Sequence, residues 1–235
     1  MIALIDMDLV CYRCAASAEQ DDVGIAIYRM NELLDQILAK TEATAYRAFL
    51  TGKKNFRKEI YPEYKANRKQ PKPRHLAECR EYACEQMSAE ITEHDLEADD
   101  YLGIHQTDET IICSLDKDLL QIAGKHFRWE INGAGWTKPD TFIEQSEIEG
   151  LRLFYEQCLK GDTSDNVKGV AKIGEAKAKK LLADCKTEKE MLDVVLSKYD
   201  HEEEFLLNAQ CLWILRNFDE YYPDRFERLK DENIS

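Results

Sequence analysis

Hydrophobic and polar positions change their period along the chain, and the change predicts strands that alternate with helices. Short apolar runs at 2–5, 45–50, 110–114 and 127–131 are typical of buried strands. Apolar residues at helical spacing predict helices at 25–39, 75–87, 97–104 and 145–159. Because strands and helices alternate, we expect an α/β fold with a mostly parallel sheet that is covered by helices.

The last third of the chain shows a different pattern. From about residue 145 it predicts helices only, with a loop at 161–166, a glycine turn leading into a helix over 169–182, and two more helices to the end. We therefore expect a larger α/β domain over 1–144 and a helical subdomain over 145–235.

Composition limits the class of protein. No apolar stretch approaches the roughly 18 residues that a membrane-spanning helix needs, and the N-terminal segment is too short and too acidic for a secretory signal. We expect a soluble, cytoplasmic protein with no membrane partner. Its eight cysteines show no zinc-binding spacing, and we expect them to be reduced and mostly structural.

Acidic residues form four short clusters, each near a junction between a strand or loop and a helix. The nine carboxylates, of which one could be a spectator, are Asp6, Asp8, Glu97, Asp99, Asp100, Asp116, Asp118, Asp162 and Asp165. Carboxylates at such density repel one another unless cations neutralise them, and Mg²⁺ or Mn²⁺ prefers oxygen ligands. Two such ions form a clamp for phosphodiester hydrolysis, so the pattern predicts a two-metal nuclease.

Each cluster also has a structural interpretation. Asp6 and Asp8 would face one pocket if they alternate on a strand, but an acid after a strand can also cap a helix. Glu97 and Asp100 would share one face of a helix start, where acids are common. Asp162 and Asp165 lie in a GDTSDN sequence that is typical of a turn. Four coincidences on one chain favour the metal interpretation.

A basic segment contrasts with the net charge of −14. Residues 53–74 carry nine Lys or Arg and two Glu, and local charge matters more than the sum for binding nucleic acid. Arg57, Lys65 and Arg68 can contact phosphates, and Tyr64 can stack on a base. A solvated basic loop is the alternative.

Two glycines, Gly169 and Gly174, precede a lysine-rich helix. Glycines let the backbone approach a ligand closely, and the first amides of a helix point at anions. With Lys172, Lys177 and Lys180, this segment predicts a sequence-independent phosphate clamp, although an ordinary turn between helices uses the same residues.

Four motifs together resemble the 5′-nuclease family, which includes bacteriophage 5′–3′ exonucleases, flap endonucleases and the 5′-nuclease domain of bacterial DNA polymerase I. They are YKANR at 64–68, EADD at 97–100, SLDKDLLQI at 114–122 and GDTSDNVKGVAKIGEAKAKKLL at 161–182. The resemblance implies a PIN-like nuclease domain with a basic arch segment at 53–90. It also implies a DNA-binding element of helix-hairpin-helix type at 166–182.

The resemblance also implies roles for particular residues. Asp6, Glu97, Asp99 and Asp100 would serve a first Mg²⁺ or Mn²⁺ ion, and Asp116, Asp118, Asp162 and Asp165 a second. Lys65 and Arg68 match the family's basic residues at the scissile phosphate, and the hairpin would hold K⁺. We expect a monomer that acts on DNA 5′ ends, on flaps and on duplexes with a single-stranded arm.

One departure from the family concerns metal binding. The family has an acid at the end of the second strand, whereas this chain has Phe49-Leu50-Thr51-Gly52 there. We expect Asp8 to compensate from the first strand, or the first metal to be held more weakly.

Three other interpretations follow from parts of the sequence. Because the acid at the end of the second strand is missing, one alternative is a catalytically impaired protein that binds DNA structures. The run LIDMDLV and the sequence GDTSD also fit a haloacid-dehalogenase-like phosphatase, which leaves the other motifs unexplained. An RNase of the broader PIN group is the third, against which the hairpin favours duplex DNA.

Overall fold

The computed structural model describes residues 1–133 and 135–231, which fall into two compact units. The first unit comprises Met1–Lys54, Gln70–Leu119 and Gly124–Gln145, and the second comprises Asn55–Lys69, Leu120–Ala123 and Ser146 onward. Residues 232–235 of the predicted helical subdomain lie outside the described part of the chain. The chain leaves the first unit after Gln145, and part of the basic segment, Asn55–Lys69, belongs with the helical unit.

A six-stranded sheet forms the centre of the first unit, in the order β3-β2-β1-β4-β5-β8. Its strands are β1 (Ile2–Asp6), β2 (Ala45–Leu50), β3 (Glu90–Ile91), β4 (Thr110–Cys113), β5 (Gly124–Arg128) and β8 (Thr141–Gln145). All neighbouring pairs are parallel except β5 with β8. The mostly parallel sheet is therefore confirmed, and the carboxyl ends of β1, β2 and β4 lie along one edge.

Helices pack around this sheet. They are α1 (Met7–Ser17), α2 (Val23–Thr41), α4 (Leu76–Gln86) and α5 (Ala98–His105). Apolar residues of β1, β2, β4, α1, α2 and α4 form the core. Helix α1 begins directly after Asp6, so the expectation that Asp6 and Asp8 alternate on a strand is wrong: Asp6 caps the helix and Asp8 lies in its first turn.

The strand predicted at 127–131 is two elements in the structure. Strand β5 ends at Arg128, and Ile131 begins a separate antiparallel hairpin of β6 (Ile131–Gly133) and β7 (Trp136–Lys138). Apolar residues lie on both sides of this break. The sequence pattern therefore continues through it and does not show that one strand ends and another begins.

The second unit is mostly helical. Its elements are α3 (Phe56–Ile60), α6 (Glu147–Lys160), β9 (Gly161–Asp162), β10 (Val167–Lys168), α7 (Glu175–Leu182), α8 (Glu188–Leu196), α9 (Glu202–Leu212) and α10 (Tyr222–Asp231). Aromatic rings of Phe154, Tyr155, Trp213 and Tyr222 pack together in its core. Three helices follow α7 where two were predicted, and the 161–166 loop is bounded by the short β9–β10 pair.

No helix in the described part of the chain is long and apolar enough to cross a membrane. All eight cysteines are free thiols, as expected, and seven of them are buried.

Candidate active site

Asp6 lies at the carboxyl end of the central strand β1 and is buried. One carboxylate oxygen accepts a hydrogen bond from the Leu9 amide at 3.0 Å, which caps helix α1. The other accepts from the Ser114 hydroxyl at 2.6 Å. Because β1 and β4 are adjacent and parallel, with Ile5 opposite Cys113, the residues that follow both strands meet at this edge.

Hydrogen bonds connect Ser114 to the next two acids of the chain, Asp116 and Asp118. The Asp116 amide donates to the Ser114 hydroxyl at 3.0 Å, and the Asp118 amide donates to the Asp116 carboxylate at 2.9 Å. Asp116 is exposed and Asp118 is half-buried. The loop after β4 therefore presents Asp116 near the buried Asp6, and Asp118 follows at the start of a short 3-10 helix.

Crowding of these acids is reflected in the pKa of Asp6. Burial raises this pKa from its ordinary value to about 7, and the charges of Asp8 and Asp116 add to the increase. The hydrogen bonds from Ser114 and Leu9 oppose it. A cation at this edge would favour the charged carboxylate and so lower this pKa.

Asp8 is held by groups from two other elements. Its Oδ2 accepts from the Thr51 amide at 2.8 Å, at the end of β2. Its Oδ1 pairs with the Arg80 guanidinium of α4, and Arg80 also donates to the Thr51 carbonyl at 2.6 Å. The carboxylate thus lies at the end of the second strand, although the predicted route along a strand was wrong.

The EADD cluster begins α5. Glu97 and Asp100 form a capping box, in which the Glu97 amide donates to the Asp100 carboxylate at 3.0 Å. The Ala98 amide donates to the Thr51 hydroxyl at 3.0 Å, which ties this helix start to the end of β2. Asp100 is fully buried and Asp99 is half-buried. The cap gives Glu97 and Asp100 a structural role, whatever further role they have.

Basic side chains accompany Asp116 in the first unit. Arg128 of β5 donates to the carbonyls of Leu115 and Asp116, and so holds the loop that carries Asp116. Lys117, Arg128 and Lys138 line a surface pocket together with Asp116. Sequence reasoning missed both Arg128 and Arg80, since each is an isolated basic residue in an ordinary element.

In the second unit, the GDTSDN sequence forms a tight turn around Asp162. The Asp162 carboxylate accepts from the amide and hydroxyl of Ser164, at 2.7 and 2.6 Å, and from the Asp165 amide at 3.2 Å. Asp162 is buried. These bonds fix the turn that presents Asp165.

The YKANR segment packs on that turn through Asp165. Tyr64 donates to one Asp165 oxygen at 2.8 Å, and Arg68 donates to the other at 2.7 Å. Lys65 Nζ lies 3.7 Å from the carboxylate. The Lys65 amide donates to the Asp165 carbonyl at 2.9 Å, and Lys65 has a φ of 57°. Two predicted catalytic cations therefore share one predicted metal ligand.

Arg57 does not fit its prediction as a DNA contact. Its side chain is buried and donates to the carbonyls of Cys211 and Trp213, at 3.1 and 2.5 Å. Arg57 holds the end of α9, a packing role that the basic sequence around it concealed.

The predicted phosphate clamp is a turn before α7. Lys172, Gly174 and Lys177 are exposed, and Gly174 is the residue before the helix. A Cβ at Gly169 would lie 2.2 Å from the Gly161 amide nitrogen, so this glycine is required by close backbone packing. The exposed lysines remain available to an anion.

Residues 1–149 match the family model of the 5′–3′ exonuclease N-terminal, resolvase-like domain. The chain belongs to this family. The match overturns the haloacid-dehalogenase interpretation and confirms the 5′-nuclease resemblance.

Relatives of known name place the chain within the family. DNA polymerase I of Bacillus caldotenax is 36% identical over 202 residues, which cover 77% of this chain and 23% of that protein. A 5′–3′ exonuclease of Bacillus subtilis is 31% identical over 157 residues, 60% of this chain and 52% of that protein. The chain thus spans about a quarter of the polymerase that it matches.

Solved structures confirm the PIN-like fold. Zinc-bound T5 5′-exonuclease has a TM-score of 0.65 at 16% identity, covering 90% of this chain and 88% of that one. T5 flap endonuclease in a complex with DNA and metal ions has a TM-score of 0.62 at 15% identity, with the same coverage.

The family implies a divalent metal, and the donor chemistry of the first unit fits one. Within residues 1–133 and 135–231, no three His, Cys, Asp or Glu side chains are arranged as a finished metal site. Asp6, Asp8 and Asp116 nevertheless place oxygen donors near one sheet edge, and burial, together with the charges of Asp8 and Asp116, raises the pKa of Asp6. A bound cation would favour the charged form of Asp6.

Proposed function

We propose that this chain is a divalent-metal-dependent 5′–3′ exonuclease and flap endonuclease that hydrolyses DNA phosphodiesters at or near 5′ ends, independent of sequence. The observation that carries the proposal is the link from Asp6 through Ser114 to Asp116 at the carboxyl ends of two parallel strands. Sites of α/β proteins lie at such ends. Family membership supports a nuclease, because the matching domain is that of 5′–3′ exonucleases.

The proposed metal ligands fall in both units. In the first unit they are Asp6, Asp8, Glu97, Asp99, Asp100, Asp116 and Asp118, and in the second they are Asp162 and Asp165. Two Mg²⁺ or Mn²⁺ ions would activate water and offset the charge of the reacting phosphate. The backbone amides that bind Asp8, Asp116 and Asp162 orient these carboxylates before any metal arrives.

Lys65 and Arg68 would hold the scissile phosphate. Both reach Asp165, so their cationic heads already lie beside a predicted ligand. Positive charge at that place stabilises negative charge that develops on phosphate oxygens. Tyr64 is buried, with its ring beneath Lys65. We therefore assign Tyr64 to positioning Lys65 rather than to stacking on a base.

A second part of the chain would bind the DNA backbone at a distance from the reacting phosphate. Lys172 and Lys177, with the backbone at Gly174, are exposed for contacts to phosphates that carry no sequence information. We propose that this turn, at 166–182, is the family's hairpin and that it holds K⁺ on backbone carbonyls. We further propose a monomer acting on 5′ flaps and on duplexes with a single-stranded arm.

A direct test uses a 5′-flap DNA and a matched blunt duplex, both labelled at the 3′ end, with Mg²⁺, Mn²⁺ or EDTA. We expect cutting near the flap junction with either ion and none in EDTA. Asp116→Ala should abolish cutting and retain DNA binding, whereas Asp108→Ala, at an exposed acid of the same unit, should behave as wild type. Undiminished turnover of the Asp116→Ala variant would refute the assignment.

A second candidate is a protein that binds DNA structures without cutting them. The ion pairs of Asp8 with Arg80 and of Asp165 with Lys65 and Arg68 favour it, since they satisfy acids that the nuclease would give to metals. Tight flap binding in EDTA, with no cutting in Mg²⁺ or Mn²⁺, would support this candidate.

A further inference from the structure

The turn after β2 is closely packed and holds no acid of its own over Phe49–Gly52. Gly52 donates to the Thr92 hydroxyl at 2.9 Å, and a Cβ at position 52 would lie 2.7 Å from the Thr92 carbonyl oxygen. The Thr51 hydroxyl accepts from the Ala98 amide. The carboxylate that binds the Thr51 amide comes from another element.

Asp8 is the carboxylate that reaches it. Its Oδ2 accepts from the Thr51 amide at 2.8 Å, and its charge acts on the neighbouring Asp6. The other oxygen is occupied by Arg80, which also binds the Thr51 carbonyl. The guanidinium thus spans the Asp8 carboxylate and the Thr51 carbonyl at the strand end.

We propose that Arg80 is a positioning residue that holds Asp8 as an internal counter-ion in the absence of metal, and that a divalent ion must displace it. The inference rests on the proposed function, because it concerns the same metal site. Both partners are about 30% exposed in their side chains, 31% for Arg80 and 30% for Asp8. An ion pair in contact with water is weak enough to exchange. A doubly charged ion competes well for a carboxylate that keeps free lone pairs.

Exchange of Arg80 for a metal ion also has a consequence for metal affinity. While the guanidinium is bound, Arg80 offsets part of the charge of Asp8 and holds it at the end of β2. A metal ion that binds Asp8 must first break this ion pair. Metal affinity should therefore be lower than the carboxylates alone would give.

The experiment measures Mn²⁺ binding to the full chain without DNA, by titration calorimetry. We expect Arg80→Met to tighten Mn²⁺ binding about tenfold. The variant lacks the guanidinium that competes with the ion through a charge-assisted hydrogen bond to Asp8. Arg80→Lys should have a smaller effect, since an ammonium cannot bridge Asp8 and Thr51 in the same way. Asp8→Asn should weaken binding, and in its background Arg80→Met should have almost no effect.

Arg47→Met is the matched control. Arg47 also lies in the first unit, pairs with one carboxylate, Glu90, and has a side-chain exposure of 37%. Its removal tests whether any lost positive charge tightens Mn²⁺ binding. Equal tightening in both variants, or no tightening in Arg80→Met, would overturn the inference. Thermal unfolding in EDTA checks folding, and Arg80→Lys serves if the methionine variant is unfolded.

Failure of the inference and failure of the proposed function are distinguishable. If wild-type protein binds Mn²⁺ and cuts flaps but Arg80→Met binds Mn²⁺ no better, only the role of Arg80 is wrong. If wild-type protein neither binds Mn²⁺ nor cuts flaps, both proposals are wrong.

Discussion

The acids at the strand ends of the first unit and the turn around Asp165 in the second unit differ in the groups that surround their negative charge. Asp6 is buried beside other acids, and its pKa is raised to about 7 by burial and by the charges of Asp8 and Asp116. Asp165 is partly exposed and is bound by Arg68, Lys65 and Tyr64. In the first arrangement Asp6 lies beside acids, one of which, Asp8, pairs with Arg80, and in the second two cations bind Asp165 itself.

This difference shows two ways in which one chain places charged side chains. A buried acid with a raised pKa is unfavourable when charged, and a bound cation would favour its charged form, whereas an acid paired with cations holds those cations in place. The Asp8–Arg80 pair combines the two arrangements, because it places a cation beside the acids around Asp6. The predictions below test the contrast.

The largest effect should come from Asp162. Asp162→Asn keeps an oxygen that accepts from Ser164 but removes the charge that a metal would use. We expect flap cleavage to fall by about a thousandfold or more, with DNA affinity within a few fold of wild type. Asp219→Ala, at an exposed acid of the same unit, should leave the rate unchanged. Single-turnover rates and binding by fluorescence anisotropy would show this.

The next effect concerns pH and the crowded acid. Folded protein keeps the Asp6 proton up to about pH 7, while the unfolded chain releases it near its ordinary value of 3.8. This site therefore favours the fold at low pH, and its contribution is lost as the pH rises from about 4 to about 7. The loss amounts to about 4 kcal/mol at most.

Urea unfolding in EDTA at several pH values would measure this slope. Asp6→Asn keeps the helix cap and a partner for Ser114 but cannot titrate, so it should lack this part of the pH dependence. Asp108→Asn, at an exposed acid, should keep the wild-type profile. Parallel profiles for wild type and Asp6→Asn would contradict the crowding argument.

A smaller effect should follow removal of the built-in cations. We expect Lys65→Met and Arg68→Met each to lower the cleavage rate by roughly ten- to a hundredfold, because each would stabilise charge on the phosphate. Lys69→Met removes an exposed cation of the same segment and should change the rate much less. Rates measured at saturating DNA separate this from binding. Equal losses in all three variants would mean that only the local charge matters.

The smallest effect concerns the phenol that helps to hold Asp165. Tyr64→Phe removes a hydrogen bond of 2.8 Å between a buried side chain and a carboxylate. We expect a loss of about 1–2 kcal/mol in the free energy of unfolding. Tyr28→Phe, at a residue that is 61% exposed, is the control. Urea unfolding at constant pH would detect the difference.

The sequence predicted what depends on local pattern. The alternation of strands and helices, and the acids that follow β1 and β4, led to the sheet edge where Asp6 and Asp116 meet. Short apolar runs before acids carry this information directly.

Contacts between distant residues could not be predicted in the same way. Arg80 reaches Asp8 across 72 positions, and nothing in the sequence around Arg80 indicates this contact. The residues next to Arg57 in the sequence are typical of a solvated basic segment. Its guanidinium is nevertheless buried and donates to carbonyls at the end of α9. Burial of a charge depends on which carbonyls the tertiary fold supplies, and one local segment does not contain that information.

The close approach of Gly52 to the Thr92 carbonyl has a consequence for any redesign of this strand end. An aspartate introduced at position 52 would meet a backbone atom before its carboxylate could bind anything. A side chain at position 52 therefore requires the β2–β3 connection to move, so a redesigned site has to leave Gly52 in place.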